Sequence, residues 1–151
     1  MIDQLIIREA VEEDLGAILK LALQWQKEGS TIGQEISEYE QYLENGLLLV
    51  ALLQENIIGF LAATSEKEKL AIFDKHSQYV ELDDLYVHAS LRNKNVGSSL
   101  INWMKEIAKQ SGISRFHVFS ASKDIERVKV FYERHGFRMW AFQAYSIADE
   151  T

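Results

Sequence analysis

The chain of 151 residues contains no cysteine and no proline. Without cysteine, disulfides, a thiolate nucleophile and cysteine-ligated metals are excluded, and a reducing compartment is a natural setting. Without proline, the turns must be built from Gly, Asn, Asp and Ser. No apolar run approaches the roughly 20 residues that span a bilayer, and the opening residues Met1–Gln4 lack the basic and apolar stretches of a secretory signal. A cytoplasmic protein without a membrane partner is therefore expected.

Basic residues are also scarce, because 16 Lys and Arg stand against 23 Asp and Glu, a net charge of −7. Nucleic acid requires a basic face, so we expect no nucleic-acid partner. An acidic surface suits a cationic acceptor, although solubility alone is the simpler explanation of the charge. Hydrophobic residues make up 47% of the chain and no linker or repeat interrupts it, which indicates a single globular domain over residues 1–151.

The hydrophobic pattern predicts a mixed α/β fold, with hairpins first and a strand–helix–strand–helix–strand half after them. The predicted strands are Leu5–Arg8, Leu47–Leu53, Ile57–Thr64, Tyr79–Val87, Phe116–Ser120 and Met139–Ile147. The predicted helices are Val11–Lys27, Ile36–Leu43, Asn95–Gln110 and Asp124–His135. The third helix is the most strongly amphipathic, with an apolar face predicted at Val96, Leu100, Trp103, Met104 and Ile107.

The segment between the fourth predicted strand and the third predicted helix is the most informative. It contains the cations Arg92 and Lys94, and then Asn95, Gly97 and Ser98 at the start of the helix. A helix N-terminus presents backbone N–H groups without internal partners and a partial positive charge, which together favour an anion such as a diphosphate. A capped surface helix with incidental basic residues is an equally consistent interpretation.

Residues 85–98 resemble the coenzyme A signature of the GNAT superfamily of N-acyltransferases, Arg/Gln-x-x-Gly-x-Gly/Ala after a strand that ends in Val. Arg92 and Gly97 match, and Asn95 replaces the middle glycine; asparagine tolerates a left-handed backbone better than other residues with a side chain. The resemblance implies acetyl-CoA as co-substrate and a central mixed, mostly antiparallel sheet of about six or seven strands flanked by about four helices. The residues that it assigns to the coenzyme are Leu85, Tyr86, Val87, Arg92, Asn93, Lys94, Asn95, Val96, Gly97 and Ser98.

The segment Val130–Phe137 is similar to the second hallmark of that family, an aromatic pair followed by Gly-Phe. Ile125 and Val128 stand where the family often has Asn and Ala. The resemblance places Tyr132 near the coenzyme sulfur, where a phenol can protonate the leaving thiolate because the two groups have similar basicity. The alternative is a core tyrosine that packs beside Phe131.

The family's reaction is a direct attack of an amine on a thioester, in which a carboxylate accepts the amine proton and backbone donors near Val87 stabilise the oxyanion. The resemblance makes Glu81 and Asp83 the two candidate bases. Alternation along a strand predicts that these two side chains share a face and that Asp84 points the other way. An electrostatic guide for a cationic acceptor remains an alternative role for these acids.

The resemblance also implies an acceptor pocket formed by the first two helices and the connection before the fourth strand. Its candidate residues, in which aromatic rings and acids are mixed, are Trp25, Glu28, Glu35, Glu38, Tyr39, Tyr42, Phe73 and Asp74. Such a lining suits a cationic or amino-bearing small molecule. For any one of these residues taken alone, however, ordinary packing of the helices is a sufficient explanation. The four histidines His76, His88, His117 and His135 lack the spacing of metal ligands, so no metal is expected.

Three functions are therefore weighed: an N-acetyltransferase for the primary amine of a small molecule, an acetyltransferase for a protein or peptide amine, and a non-catalytic acyl-CoA-binding module. The acceptor, the acyl length and the oligomeric state are left open. The apolar run Trp140–Phe142 permits a homodimer without requiring one.

Overall fold

The computed structural model describes residues 4–67 and 78–149. Among these residues the chain forms five strands and four α-helices. The strands are β1 (Ile6–Glu9), β2 (Leu47–Leu53), β3 (Asn56–Lys67), β4 (Gln78–Val87) and β5 (Phe116–Val118). The helices are α1 (Leu15–Glu28), α2 (Tyr39–Asn45), α3 (Val96–Gln110) and α4 (Ile125–Arg134), and short 3₁₀ turns occupy Glu12–Asp14 and Ala89–Leu91.

The strands form one sheet in the order β1-β2-β3-β4-β5. The first four run antiparallel to their neighbours, and β5 runs parallel to β4. The β2–β3 hairpin turns at Gln54 and Glu55, which both have positive φ angles of 50° and 67°, as the two-residue turns that suit twisted hairpins require. The predicted mixed, mostly antiparallel α/β fold is confirmed.

The predicted count of six or seven strands is too high for the described part of the chain, because Met139–Ile147 forms no strand. The alternation of apolar residues there favours a strand, but a strand also needs a neighbouring backbone with which to pair. In this segment the side chains of Met139, Phe142, Tyr145 and Ile147 are instead more than half exposed.

The sheet is covered by helices on both faces, so β2 and β3 are hydrophobic almost throughout. One face packs α3 against β2, β3 and β4, and its fully buried side chains include Leu49, Leu61, Leu82, Leu100 and Met104. The other face packs α1 and α2 against the same strands around Ile18, Tyr39, Val50, Phe60 and Tyr86.

The apolar face predicted for α3 is correct except at Trp103, which is 47% exposed, while Ile101 is fully buried. Within the described ranges, none of the helices combines the length and the apolar character that crossing a bilayer requires.

Candidate active site

The strands β4 and β5 separate part of the way along β4. Among the described residues, β5 pairs with β4 only from Val80 to Leu82. On its other side β4 remains paired with β3 as far as Val87. The backbone of β4 from Asp83 to Val87 therefore has no strand partner on the β5 side among the described residues, and we refer to this unpaired edge as the gap. An extended, amide-containing molecule can add itself to such a strand edge by main-chain hydrogen bonds.

A β-bulge lies at the point where this gap begins. Ala62 pairs with Asp84 and Ala63 pairs with Leu82, so Asp83 is an extra residue in β4. The extra residue resets the alternation of side chains along the strand. The prediction that Asp84 points away from Asp83 is therefore wrong, because both carboxylates receive hydrogen bonds from tyrosines of α2.

Asp83 lies exposed at the mouth of the gap. Its Oδ2 accepts hydrogen bonds from the Tyr42 hydroxyl at 2.9 Å and from the Thr64 hydroxyl at 3.3 Å. Partial loss of hydration raises the pKa of the Asp83 carboxyl, against the opposing effect of these two donors. A carboxylate with a raised pKa is a stronger base, and its exposure leaves it accessible to a substrate.

Asp84 is held more tightly than its neighbour. Its Oδ2 accepts from the Tyr39 hydroxyl at 2.7 Å and from the Ser37 hydroxyl at 2.8 Å. These bonds attach the start of α2 and the residues before it to β4. Ser37 and Thr64 were not predicted from the sequence, because nothing in their local pattern distinguishes a serine or threonine that binds a distant carboxylate.

Glu81 belongs to the same electrostatic cluster. The pKa of Tyr42 is raised first by burial, then by its hydrogen bond to Asp83 and by the charges of Asp83, Asp84 and Glu81. The phenol therefore stays protonated at neutral pH and remains a hydrogen-bond donor to Asp83. The structure thus brings both candidate bases near one tyrosine.

The start of α3 has the backbone geometry that an anion site needs. Asn95 precedes the helix in the left-handed conformation, with φ 66° and ψ 14°, and its side chain forms no capping hydrogen bond. The carbonyl of Asn95 accepts from the backbone N–H of Ser99 at 3.0 Å. The N–H groups of Val96, Gly97 and Ser98 therefore precede the first hydrogen bond of the helix.

The cations of this loop have different surroundings. Lys94 is exposed. The Nη2 atom of Arg92 contacts both carboxylate oxygens of Glu28 at 2.7 and 2.8 Å, and its Nε donates to the carbonyl of Val87 at 3.2 Å. The guanidinium also lies 5.3 Å from the ring centre of Tyr86. Arg92 is thereby directed towards α1 and joins the coenzyme loop predicted above to that helix.

The C-terminal half of α1 borders an open depression of about 310 Å³. Trp25 stacks on Tyr86 with ring centres 5.5 Å apart, and the Tyr86 hydroxyl donates to Glu28 at 3.0 Å. Two of the predicted acceptor residues, Trp25 and Glu28, therefore meet here beside β4. The residues that line the depression are Gln24, Lys27, Glu28, Tyr86, His88 and Ala89.

Tyr132 lies on α4 at the α3 side of the sheet. Its ring contacts those of Phe131 and Phe137 edge-on, with centres 5.1 and 5.4 Å apart. Burial raises the pKa of the Tyr132 phenol, so the hydroxyl keeps its proton at neutral pH and is a weaker acid than tyrosine in water.

The remaining predicted site residues divide by environment. Val96 is buried, and Leu85 and Val87 pack against the α3-side core. Glu35, Glu38 and Asn93 are exposed, whereas Phe73, Asp74 and His76 lie outside the described residues. Within residues 4–67 and 78–149, no group of three His, Asp or Glu side chains is arranged to hold a metal ion.

A strand edge left unpaired beside a carboxylate of raised pKa, followed in the chain by a helix N-terminus without a side-chain cap, is suited to acyl transfer from a nucleotide thioester. The sequence model of the Acetyltransferase (GNAT) family matches residues 13–137. The chain belongs to this family, and the protein is an acetyltransferase.

Solved structures agree with this fold. An aminoglycoside 6′-N-acetyltransferase from Acinetobacter haemolyticus superposes with a TM-score of 0.74 at 21% identity, covering 97% of this chain and 99% of that one. A predicted acetyltransferase with acetyl-CoA from Clostridium acetobutylicum gives 0.74 at 17% identity, covering 95% and 96%. A ribosomal-protein-alanine N-acetyltransferase from Brucella melitensis biovar Abortus 2308 gives 0.70 at 19% identity, covering 95% and 97%. Comparison with curated protein sequences gives no significant match.

Proposed function

We propose that this protein transfers the acetyl group of acetyl-CoA to a primary amine of a small cationic molecule by direct attack. The observation that carries the proposal is the position of Asp83, which is the extra residue of the β4 bulge and lies where β4 and β5 part. Its carboxyl has a raised pKa. A base is thereby available beside the strand edge at which a thioester can be held.

The surrounding residues fit a coenzyme A thioester, which supplies the activated acetyl group. The open edge of β4 from Asp83 to Val87 offers main-chain groups to an amide-containing arm. The free N–H groups of Val96, Gly97 and Ser98 suit the diphosphate. Lys94 is exposed beside them and adds positive charge.

We assign two proton transfers of the reaction to different side chains. An alkyl ammonium has a pKa near 10, so the amine must lose a proton before its nitrogen can attack the carbonyl carbon. Asp83 accepts that proton, directly or through one water, with Glu81 as the second candidate. As the carbon–sulfur bond breaks, Tyr132 donates its phenolic proton to the sulfur. The nitrogen loses its second proton to water as the amide forms, and water returns a proton to Tyr132. Backbone N–H groups of β4 stabilise the oxygen on which negative charge develops.

The choice of a small cationic acceptor rests on the charge near the site. Asp83, Asp84 and Glu81 cluster around Tyr42, and Glu28 borders the depression beside α1. The net charge of −7 favours the approach of a cation from a distance. One solved structure of similar fold is named as an aminoglycoside acetyltransferase, which has amino-bearing small molecules as its substrates.

A protein or peptide amine is the second candidate acceptor. It is favoured by the comparable similarity to a structure named as a ribosomal-protein-alanine N-acetyltransferase. Membership in an enzyme family speaks against the third hypothesis, a non-catalytic acyl-CoA-binding module. We further propose a cytoplasmic location. The exposed apolar side chains of Trp140 and Phe142 are compatible with a homodimer.

An assay of thiol release from acetyl-CoA over a panel of acceptors tests the proposal. We expect turnover with polyamines, aminoglycosides or amino acids, and little turnover with lysine-containing or N-terminal peptides. Tyr132→Phe should lower the rate with every accepted amine, whereas Glu44→Gln, which removes an exposed acid from α2, should not. Turnover with peptides alone would select the second candidate, and coenzyme binding without turnover on any amine would contradict the proposal.

A further inference from the structure

The first turn of α3 is fastened to the end of α4 by two contacts. The Ser98 hydroxyl and the His135 Nε2 atom are 2.9 Å apart, within hydrogen-bond distance. One turn earlier on α4, the ring of Phe131 lies so close to Gly97 that a Cβ at that position would be 3.4 Å from it. The rings of Phe131 and His135 are themselves 5.1 Å apart. The helix turn whose N–H groups face the predicted diphosphate is therefore held by α4.

The environment of His135 keeps its imidazole neutral at neutral pH. Burial lowers its pKa, and the positive charge of Lys105 lowers it further. The Lys105 ammonium donates a hydrogen bond to the backbone carbonyl of His135 and lies 5.3 Å from the ring centre of Phe137. The titratable groups that α4 contributes nearby are Tyr132, whose phenol stays protonated, and the exposed Glu133 and Arg134.

We propose that His135 is a positioning residue, which acts through the hydroxyl of Ser98 to hold the diphosphate of the coenzyme. Protonation of His135 strengthens the binding of the diphosphate. The inference rests on the coenzyme site in the proposed function. A neutral imidazole either donates to or accepts from Ser98, depending on which ring nitrogen carries the proton. An imidazolium can only donate, so the Ser98 hydroxyl hydrogen is then free to point towards a phosphate oxygen. The imidazolium also places a full positive charge one side chain away from the anion.

The direction of the pH effect follows from linkage. A bound diphosphate favours the charged imidazole, so the pKa of His135 is higher in the complex than in the free protein. Between these two pKa values, binding is accompanied by the uptake of a proton. Affinity therefore rises as the pH falls through this interval and becomes constant below it. If binding raises the pKa of His135 by about one, the affinity below this interval is about tenfold higher than above it.

Dephospho-coenzyme A is the appropriate probe, because it keeps the diphosphate but lacks the 3′-phosphate, which itself titrates near neutrality. Its binding is measured by isothermal titration calorimetry from about pH 5.5 to about pH 8.5, which brackets the ordinary pKa of histidine. Buffers of different ionisation enthalpy report the proton uptake directly. We expect about three- to tenfold tighter binding at the acid end, with up to one proton taken up.

Two variants and one control distinguish the role of His135 from general stability. His135→Gln keeps a donor for Ser98 but cannot titrate, so its affinity should no longer vary with pH and no proton should be taken up. Lys105→Gln removes the charge that lowers the pKa of His135, so the same pH dependence should appear at higher pH. His117→Gln alters another histidine, which stacks on Tyr79 with ring centres 4.2 Å apart, and should keep the wild-type profile.

Each result bears on one of the two proposals. An unchanged pH profile in His135→Gln, or a flat profile in His117→Gln, overturns the role of His135. If His135→Gln does not fold, an unshifted profile in Lys105→Gln overturns it equally. A wild-type protein that does not bind the probe at any pH contradicts the coenzyme site itself, and with it the proposed function.

Discussion

A single residue, Asp83, determines how the acids of β4 are arranged. As the unpaired residue of a bulge, it turns two successive carboxylates towards α2. The two have different roles. Asp84 receives two short hydrogen bonds from Tyr39 and Ser37, whereas Asp83 remains exposed and is the residue that we propose as the proton acceptor.

Replacing Asp83 by Asn should separate activity from stability. If Asp83 is the base, the change removes a proton acceptor, and kcat should fall by about 10²- to 10⁴-fold, with a smaller effect on the KM for acetyl-CoA. The raised pKa of Asp83 means that its ionised form costs stability as the pH rises through that value. Asp83→Asn should therefore leave Tm at neutral pH unchanged or slightly higher, as thermal denaturation would show.

Asp84→Asn is the matched control for that experiment. It changes the neighbouring carboxylate, whose two hydrogen bonds attach the α2 segment to β4, so Tm should fall more and kcat less than in Asp83→Asn. Equal losses of kcat in the two variants, or full activity in Asp83→Asn, would transfer the role of base to Glu81.

The bulge also shows which residue-scale feature cannot be predicted from the sequence, namely the direction of each side chain along β4. The presence of Glu81, Asp83 and Asp84 on one strand is readable from the sequence, but their directions are not, because one inserted residue reverses the alternation. Likewise, Arg92 matches a motif, yet its pairing with Glu28 joins residues that are distant in the chain and carry no shared local pattern.

At the scale of elements, the loop before α3 depends on backbone conformation more than on side-chain chemistry. Asn93 and Asn95 both have positive φ angles, of 62° and 66°. The left-handed region costs ordinary residues about 1–2 kcal/mol, while glycine adopts it freely and asparagine more readily than most. An asparagine at position 95 can thus replace the glycine of the family motif without loss of the loop.

Substitutions at Asn95 test this requirement. Asn95→Gly should retain the KM for acetyl-CoA, because it permits the same φ. Asn95→Val should lower the free energy of unfolding by about 1–2 kcal/mol and raise that KM, since a β-branched residue disfavours this conformation. Chemical denaturation and initial rates measure the two effects. A valine variant with an unchanged KM would show that the amides of α3 do not hold the coenzyme.

The sequence predicts an element well when the local pattern of apolar residues determines it. It predicts an element poorly when that element depends on pairing with a distant strand. The strand β2 and the helix α3 were predicted almost to the residue, because each has a continuous or periodic apolar pattern. Met139–Ile147 has a similar pattern but forms no strand, since a strand depends on a neighbouring edge that its own residues do not encode. The early separation of β5 from β4 is invisible in the sequence for the same reason.

At the scale of the whole molecule, an ion pair connects β1 to the residue immediately before α1. The Arg8 guanidinium contacts Asp14 at 2.7 and 3.1 Å, and the backbone N–H of Val11 donates to the same carboxylate at 2.8 Å. Asp14 is buried, with 7% of its surface exposed. The hydrogen bond from Arg8 is the main cause that lowers the pKa of Asp14.

Acid denaturation should report this contact. A lowered pKa adds stability above the pKa that aspartate has in the unfolded chain, and that stability is lost as the pH falls through the folded value. Asp14→Asn should lower the free energy of unfolding at pH 7 by about 1–2 kcal/mol, allowing for the solvent around Arg8. The difference from wild type should shrink under acid conditions.

The control is Glu12→Gln, which changes an exposed acid in the same 3₁₀ turn and should have little effect. Urea titrations at several pH values measure both variants. A constant difference between Asp14→Asn and wild type down to strongly acid pH would show that the charge of Asp14 is not what stabilises this contact.

The shared carboxylate of Glu28 has a consequence for the kinetics. It neutralises Arg92 on the coenzyme side and borders the depression beside α1 on the other. If, as proposed, a cationic acceptor enters this depression, its ammonium group competes with Arg92 for this one charge, and a guanidinium released in this way can turn towards the coenzyme. Thermodynamic reciprocity then requires each substrate to increase the affinity for the other, so saturation should be synergistic and the ternary complex should be favoured over either binary one.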